Sequence, residues 1–304
     1  MWRGQKMVEG QPKFSIIMPV YNMAEWLEEA IFSWTKQTCG DIEILCIDDA
    51  STDSSLEVLN RLASVDKRIH VFKFSENMSA WSARLLGIQE AQGQYILFAD
   101  ADDTITDNAC EEIWFELEKS QVDILHFDAD IINVNNLPQQ RIDSMKRFVR
   151  PYNGILKDEN IFTACFRDKK YTFSLWNKAF RAEMCKNAVV GMKYAVIPKA
   201  QDKLLYFVLS FAAKSYKGMP DKKYYQYNFG RGGTGIAHLN IKQFERYCTM
   251  AWTADAMDSF LKERGVYEIY KDIAEKNRND LLNDCLARWL NETAKNENGK
   301  FLSE

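Results

Sequence analysis

The amino-acid sequence predicts an α/β protein built on a mostly parallel sheet with helices on both faces, followed by amphipathic helices at its C-terminal end. Three observations carry that prediction. Strand-like and helix-like segments alternate strictly over residues 14 to 128, and strict alternation implies parallel pairing with helices as crossovers. The strand-like segments are near-continuous apolar runs, as strands covered on both faces must be. Several of these runs end in polar residues: Tyr21-Asn22, Asp48-Asp49, and Asp100 to Asp103. In open α/β sheets ligands bind in the crevice beyond the carboxyl ends of the strands, so these ends mark a site by geometry.

Each element has its own reason. FSIIMPV (14–20) is the first expected strand. AEWLEEAIFSWTKQ follows, with Trp26, Leu27, Ala30, Ile31 and Trp34 on one helical face. IEILCI (42–47) is the second strand and STDSSLEVLNRLASV the next helix, with Ser51 or Thr52 as its expected N-cap. IHVFKF (69–74), the helix SAWSARLLGIQEA closed by QGQ, and YILFA (95–99) continue the alternation. A helix near 107–119 and the strand VDILHFD (122–128) end it. From 129 the Asn, Pro and Gly punctuation of ADIINVNNLPQQRIDSMKRFVRPYNG reads as an excursion or loose hairpin. A helix near 158–165, the segment FSLWNKAFR (173–181), a helix over 201–214 and a strand KKYYQYNF (222–229) follow. GRGGTGIAH then carries four glycines in six positions and reads as a mobile loop. Two amphipathic helices close the chain. One sets Phe244, Tyr247, Cys248, Ala251 and Ala254 on a face; the other sets Tyr270, Ile273, Ala274, Leu281, Cys285 and Trp289.

Composition narrows the function. The 39 basic and 43 acidic residues give a net charge of −4 without a long run of one sign, which argues against a nucleic-acid partner. The seven cysteines are odd in number and form no CxxC pair, so they read as reduced thiols of a cytoplasmic protein, most of them core fillers. His70, His126 and His238 are the only imidazoles, too few for a zinc centre to be expected; His70 and His126 fall on strands as packing residues. MWRGQKMVEGQPKF is too polar for a secretion signal, and no window approaches the ~20 apolar residues that cross a bilayer. Any membrane contact is expected to be peripheral, at the inner face.

The stretch YILFADADDTI sets Asp100, Asp102 and Asp103 against the end of an apolar strand. Three carboxylates within four positions repel one another, and unrelieved some would protonate. A divalent cation relieves them. Carboxylate oxygens suit Mg²⁺ or Mn²⁺, which keep positions open for water and phosphate oxygens. With Asp48-Asp49 on a neighbouring strand end, the D-x-D is expected to hold a metal that carries a diphosphate. The plainer alternative is a solvated loop in which Asp102 or Asp103 caps the helix near 107.

FSIIMPVYNMAEWLEEAIFSWTKQTCGDIEILCIDDASTDSS, followed by ARLLGIQEAQGQYILFADADD, resembles the amino half of the family-2 glycosyltransferases of the GT-A fold. Four ordered blocks carry the resemblance over residues 14 to 103. WNKAFR (176–181) resembles the family's acceptor-side W-N-K segment. The resemblance implies an inverting, metal-dependent hexosyltransferase that moves a sugar from a nucleoside-diphosphate sugar to a hydroxyl of a glycan, lipid-linked or protein acceptor, in surface polysaccharide or glycoconjugate synthesis. It also implies a division of the chain: an N-terminal tail (1–13), a nucleotide-sugar-binding half (14–128), an acceptor-binding half with a mobile loop (129–240) and a helical segment (241–304).

Residue roles follow from the same resemblance. Asp49 would accept the N3–H of uracil; a carboxylate can also pair with guanine, but cytosine has no such donor, so a UDP-sugar is favoured, a GDP-sugar less so and a CDP-sugar least. Tyr21 would pack its ring near the base, with backbone groups from Pro19, Val20 and Ala101 beside it. Arg84 would pair with the diphosphate or the carboxylates. Asp102 is the expected direct metal ligand. Asp100 would touch the ribose or a metal-bound water, and Asp103 would brace the loop or approach the transferred sugar. In PKAQDKLLYF, Asp202 is the expected general base, kept ionised by the helix N-terminus, and Gln201 stands where the family usually has Glu. Trp176, Asn177 and Lys178 would line the sugar or acceptor pocket, Arg231 would meet phosphate, and His238 would be a third metal ligand. Leu85 and Ser79 stand where the family often has Asn and Gly.

Two other readings compete. ILFADADDTI also fits the nucleophile strand of the haloacid dehalogenases, but that fold places the strand near its start and needs a later G-D pair that this chain lacks. Alternatively, Gln201, Leu85 and Ser79 favour a non-catalytic module that binds a nucleotide-sugar or docks in a glycosyltransferase complex.

Overall fold

In the computed structural model, which describes residues 10–231 and 241–290 (the side chains of 242 and 243 excepted), the apolar runs of the N-terminal half become neighbouring strands. That half comprises β1 (Phe14–Val20), α1 (Leu27–Thr35), β2 (Ile42–Asp48), α2 (Ser55–Val65), β3 (Ile69–Lys73), α3 (Ser79–Glu90), β4 (Tyr95–Phe98), β5 (Thr104–Ile105), α4 (Ala109–Ser120) and β6 (Ile124–Asn133). It continues into α5 (Gln139–Val149), β7 (Ile155–Lys157), α6 (Glu159–Phe166), β8 (Lys178–Arg181), α7 (Ala182–Ala188), α8 (Gln201–Ala212) and β9 (Ser215–Phe229). Three helices follow, α9 (Ile241–Cys248), α10 (Met250–Glu263) and α11 (Lys271–Arg288).

The strands form one sheet in the order β3-β2-β1-β4-β8-β6-β9-β5, with β7 paired on β9. β1 to β4 are parallel to one another, as the alternation predicts. Beyond them the sheet is mixed: β8 runs antiparallel between β4 and β6, β6 and β9 are parallel, and β5 and β7 run antiparallel to β9. Register places the site. Val20 is level with Asp48, and Ile17 is level with Phe98, so the chain leaves β1, β2 and β4 along a common edge.

Although the strands read as continuous apolar runs, alternate side chains enter two separate cores, as the two-residue period of a strand requires. Ile17, Leu45, Ile47, Ile96 and Phe98 meet α3, α6, α7, α8, α10 and α11 on one face. Ile16, Met18, Ile44, Cys46 and Leu97 meet α1, α4 and α5 on the other. Gly87 allows α3 to lie directly on β1: a Cβ there would sit 2.4 Å from Ile17 Cγ2.

Several local expectations are corrected. The loose excursion from 129 is instead the second half of β6 followed by α5, because β9 pairs with β6 as far as Asn133. Ser51 and Thr52 do not cap α2, whose N-cap is Ser54. They bond Asn22 instead: Ser51 Oγ accepts its N–H, and its Oδ1 accepts the N–H of Thr52 at 2.8 Å. The first C-terminal helix breaks at Thr249, giving α9 and α10 where a single helix was expected. His126 is fully buried, but His70 is exposed on β3. Five cysteines are buried, whereas Cys248 and Cys285 lie nearer the surface with their sulfurs 3.9 Å apart.

Candidate active site

A cleft of about 260 Å³ opens where β1, β2 and β4 end, and its lining includes Pro19, Val20, Tyr21, Asp49, Arg84, Asp100, Ala101, Asp102, Gln201, Asp202 and Arg231. Residues distant in sequence thus share one space. Val20 is buried and Tyr21 is 39% exposed, so the tyrosine ring is free to meet a ligand. A larger groove of about 790 Å³ lies at the opposite edge, beside Asp123, Arg181 and Lys214. The Asp123 carboxylate is already engaged: it accepts from Arg181 Nε at 2.9 Å and from the Lys214 N–H at 2.8 Å.

The turn after β2 is tight, with Ala50 at φ 58° and Asn22 opposite it at φ 54°. Asp49 donates its N–H to the Val20 carbonyl at 2.8 Å, and its Oδ1 accepts the Met78 N–H at 2.6 Å. Burial raises the Asp49 carboxyl above the usual range, against the pull of the Met78 and Ser79 amides.

Helix α3 joins one side of the cleft to the other. Arg84, almost wholly buried, donates from Nη1 to Asp202 Oδ1 at 2.5 Å and from Nη2 to Asp100 Oδ1 at 3.2 Å. The same helix holds the chain that leads to Asp202. Ser79 Oγ accepts the Ile197 N–H at 3.0 Å, Ser82 Oγ accepts the Ala195 N–H at 3.0 Å, and Trp81 Nε1 donates to the Lys193 carbonyl at 3.0 Å. Ser79 itself sits at φ 68°, a conformation glycine adopts freely and serine only at a cost, so its side-chain bonds compensate for the missing glycine.

The acidic turn is held from below by β9. Asp100 donates its N–H to the Tyr225 hydroxyl at 3.0 Å, and Asn228 donates from Nδ2 to the Asp102 carbonyl at 2.9 Å and from its N–H to Asp103 Oδ1 at 2.7 Å. Arg231 Nη1 reaches Glu29 Oε2 at 3.0 Å and the Asp102 carbonyl at 3.3 Å. All three carboxyls are raised. Burial is the main cause at each. At Asp100 the attraction of Arg84 opposes it while Asp202 and Asp102 add to it, leaving that carboxyl at about 7.

Some expected residues lie elsewhere. Asp103 is 1% exposed and turned toward β9, so it braces the turn and does not face a sugar. Asn177 and Lys178 are fully buried and do not line the cleft. Lys178 donates to the Ser174 carbonyl, and its Nζ lies 3.2 Å from Asn177 Oδ1; burial pushes its ammonium well below the usual lysine range. Asn177 donates to the Val149 carbonyl at 2.7 Å and contacts His126 Nε2 at 2.9 Å. These side chains satisfy one another inside the core, which an acceptor cannot reach. Trp176 stacks on Tyr225 and Tyr227 with ring centroids 4.7 and 5.0 Å apart, behind the cleft. His238 lies outside the described residues. Sequence reasoning missed Tyr225, Tyr227 and Asn228, whose signal is the alternating aromatic string YYQYNF, and also Met23 and Ala80, which line the cleft.

A metal fits this arrangement in one way. Among the described residues no cluster of three or more His, Cys, Asp or Glu side chains is placed to hold an ion. Asp100 and Asp102 do line the cleft together. Mg²⁺ and ions like it are commonly held by one or two carboxylates plus substrate phosphates, and that donor set suits the two carboxylates present.

Residues 15–182 match the model of glycosyl transferase family 2. An uncharacterized glycosyltransferase of Haemophilus influenzae is 43% identical over 101 residues, a match that covers 33% of this chain and 40% of the relative. The chain therefore spans less than half of that relative's length. Among solved structures, S. aureus TarS 1-349 in complex with UDP-GlcNAc superposes with a TM-score of 0.61 at 20% identity, covering 90% of this chain and 81% of TarS 1-349. The mannosyltransferase PcManGT of Pyrobaculum calidifontis, in complex with GDP-Man and Mn²⁺, superposes with a TM-score of 0.57 at 15% identity, covering 92% of this chain and 75% of the other. The structural likeness carries the fold, that of the GT-A glycosyltransferases. The family match extends over more than half of the residues, and the chain belongs to glycosyl transferase family 2.

Proposed function

We propose that the chain transfers a sugar from a nucleoside-diphosphate sugar to an acceptor hydroxyl, with Asp202 as general base and with Asp100 and Asp102 holding Mg²⁺ or Mn²⁺. One observation carries this reading: Asp49, Arg84, Asp100, Asp102 and Asp202 share a single cleft, and Arg84 bonds both Asp100 and Asp202. Asp49 would offer its carboxylate to a nucleobase, with Oδ1 already held by the Met78 N–H. A carboxylate there accepts the ring N–H that uracil and guanine carry and that cytosine, whose N3 is an acceptor, lacks. The UDP-GlcNAc complex of TarS supports a uridine donor, and the GDP-Man complex of PcManGT keeps a guanosine donor in the test.

Arg84 Nη1 holds one oxygen of Asp202. The other, Oδ2, has no hydrogen-bond partner among the described residues and is available to take the acceptor proton. Tyr21 and Arg231 both line the cleft, where the tyrosine would cover the base and the arginine would meet phosphate. A bound cation would offset the negative charge that grows on the leaving diphosphate. A single displacement assisted by one base inverts the anomeric configuration.

The test is a thermal-shift panel of UDP-, GDP- and CDP-sugars with and without Mn²⁺, followed by product analysis with the best donor. A UDP-sugar is expected to stabilise most, and stabilisation by none would overturn the reading. Asp202→Asn is expected to keep donor binding and lose ~10²–10⁴-fold in transfer, the usual worth of a general base. A module that only binds would form no product in either version.

A further inference from the structure

We propose that Tyr225 is a positioning residue for the acidic turn: its hydroxyl fixes the turn from beneath, so that the Asp100 and Asp102 carboxylates face the cleft before any cation arrives. The inference rests on the cation reading given above and adds a residue that neither binds the ion nor moves a proton.

The geometry is specific. Tyr225 is 1% exposed and lies on β9, far from the turn in sequence. Its hydroxyl accepts the Asp100 N–H at 3.0 Å, which leaves its own hydrogen to donate, and the Asp103 carboxyl lies against it. The bond that fixes the turn is the one the hydroxyl accepts from the Asp100 N–H. The hydroxyl has little freedom of its own. The Trp176 ring is stacked on the Tyr225 ring at 23° and on the Tyr227 ring at 13°, so the two tyrosines sandwich the indole. Asn228 completes the support by holding the Asp102 carbonyl and Asp103 Oδ1.

The chemical consequence is a division of labour among like charges. Three neighbouring carboxylates repel, and a free loop would separate them by splaying. Here the one carboxylate that does not line the cleft, Asp103, is turned inward, with Oδ1 accepting the Asn228 N–H. The backbone between Asp100 and Asp103 is tied, which leaves Asp100 and Asp102 side by side at the cleft. Groups behind a metal's ligands that fix their orientation are commonly worth ~10–100-fold in metal affinity.

Tyr225→Phe removes the hydroxyl and keeps the ring stack. Mn²⁺ affinity, read by electron paramagnetic resonance of the free ion with and without UDP, is expected to fall at least ~10-fold. Tyr224→Phe is the control: that neighbouring hydroxyl donates to Glu112 Oε2 at 2.9 Å, away from the turn, and its loss is expected to leave Mn²⁺ affinity unchanged. Equal Mn²⁺ affinity in Tyr225→Phe and the native protein, or an equal loss in both variants, overturns the proposal. A native protein that binds no Mn²⁺ overturns the cation reading itself, a separate result. Hydrogen exchange on the native chain supplies a measurement that needs no variant. The Asp100 amide is expected to exchange as slowly as the amides of β4, and exchange at the rate of an open loop would count against the anchor.

Discussion

Single residues show where chemistry can be read from order and where it cannot. Asp49, Asp100, Asp102 and Asp202 were legible because each stands at the end of an apolar run or the start of an apolar helix, and those positions share one sheet edge. Tyr225 and Asn228 were not, because their bonds to the turn span 125 and 126 residues. Lys178 is expected in the pocket from the resemblance of WNKAFR to an acceptor-side segment, whereas its core partners come from the fold. Lys203, beside the candidate base, makes a residue-scale prediction. Burial lowers its ammonium from an ordinary 10.5 to about 8, with Asp280 partly opposing the change. Between those values the unfolded chain holds more protons than the folded one, so stability should rise with pH across that window and be least below it. Lys203→Met is expected to flatten that rise and to stabilise the protein at pH 7 by up to ~3 kcal/mol, since each tenfold loss of proton affinity on folding is worth ~1.4 kcal/mol. Chemical denaturation of both proteins from pH 7 to 10.5 checks it, and parallel curves would refute it.

At the scale of elements, hydrophobic period located most helices and strands of the N-terminal half to within a few residues, since each is long, apolar and bounded by polar turns. It failed where neighbours decide. β6 is expected to stop at 128 because Asn, Pro and Gly punctuate the stretch from 129, and pairing with β9 carries it on to Asn133. β8 and α7 adjoin at Arg181-Ala182, so no turn signal separates them. α3 matters most, since it lies on β1 and carries Arg84. Gly87→Ala is expected to push it outward, because the new methyl would meet Ile17 Cγ2 at 2.4 Å. Alanine gains ~1 kcal/mol of helix propensity over glycine, and overpacking typically costs ~1–3 kcal/mol. A net loss of stability is therefore expected, together with weaker donor binding through the displaced Arg84. Thermal unfolding and donor titration measure the two effects separately, and an alanine variant as stable as the native chain would refute the close approach.

For the whole molecule, alternation foretold the parallel half and gave no sign of how the second half joins it. Strand order there depends on β8 entering between β4 and β6, a pairing across more than eighty residues. The expected boundary at 128 falls inside β6, within the one sheet that carries both halves. A chain comprising residues 10–128 is thus expected to show no cooperative thermal transition and no donor-induced shift, and a sharp two-state melt would refute this. The late arrival of β8 matters during synthesis. When β4 leaves the ribosome it can pair with β1 alone, and its other edge stays bare until Lys178–Arg181 has been translated. Throughout that interval the nascent chain presents an unpaired apolar strand, the kind of edge that recruits other chains, so folding helpers that shield such edges would serve this protein most before its sheet is closed.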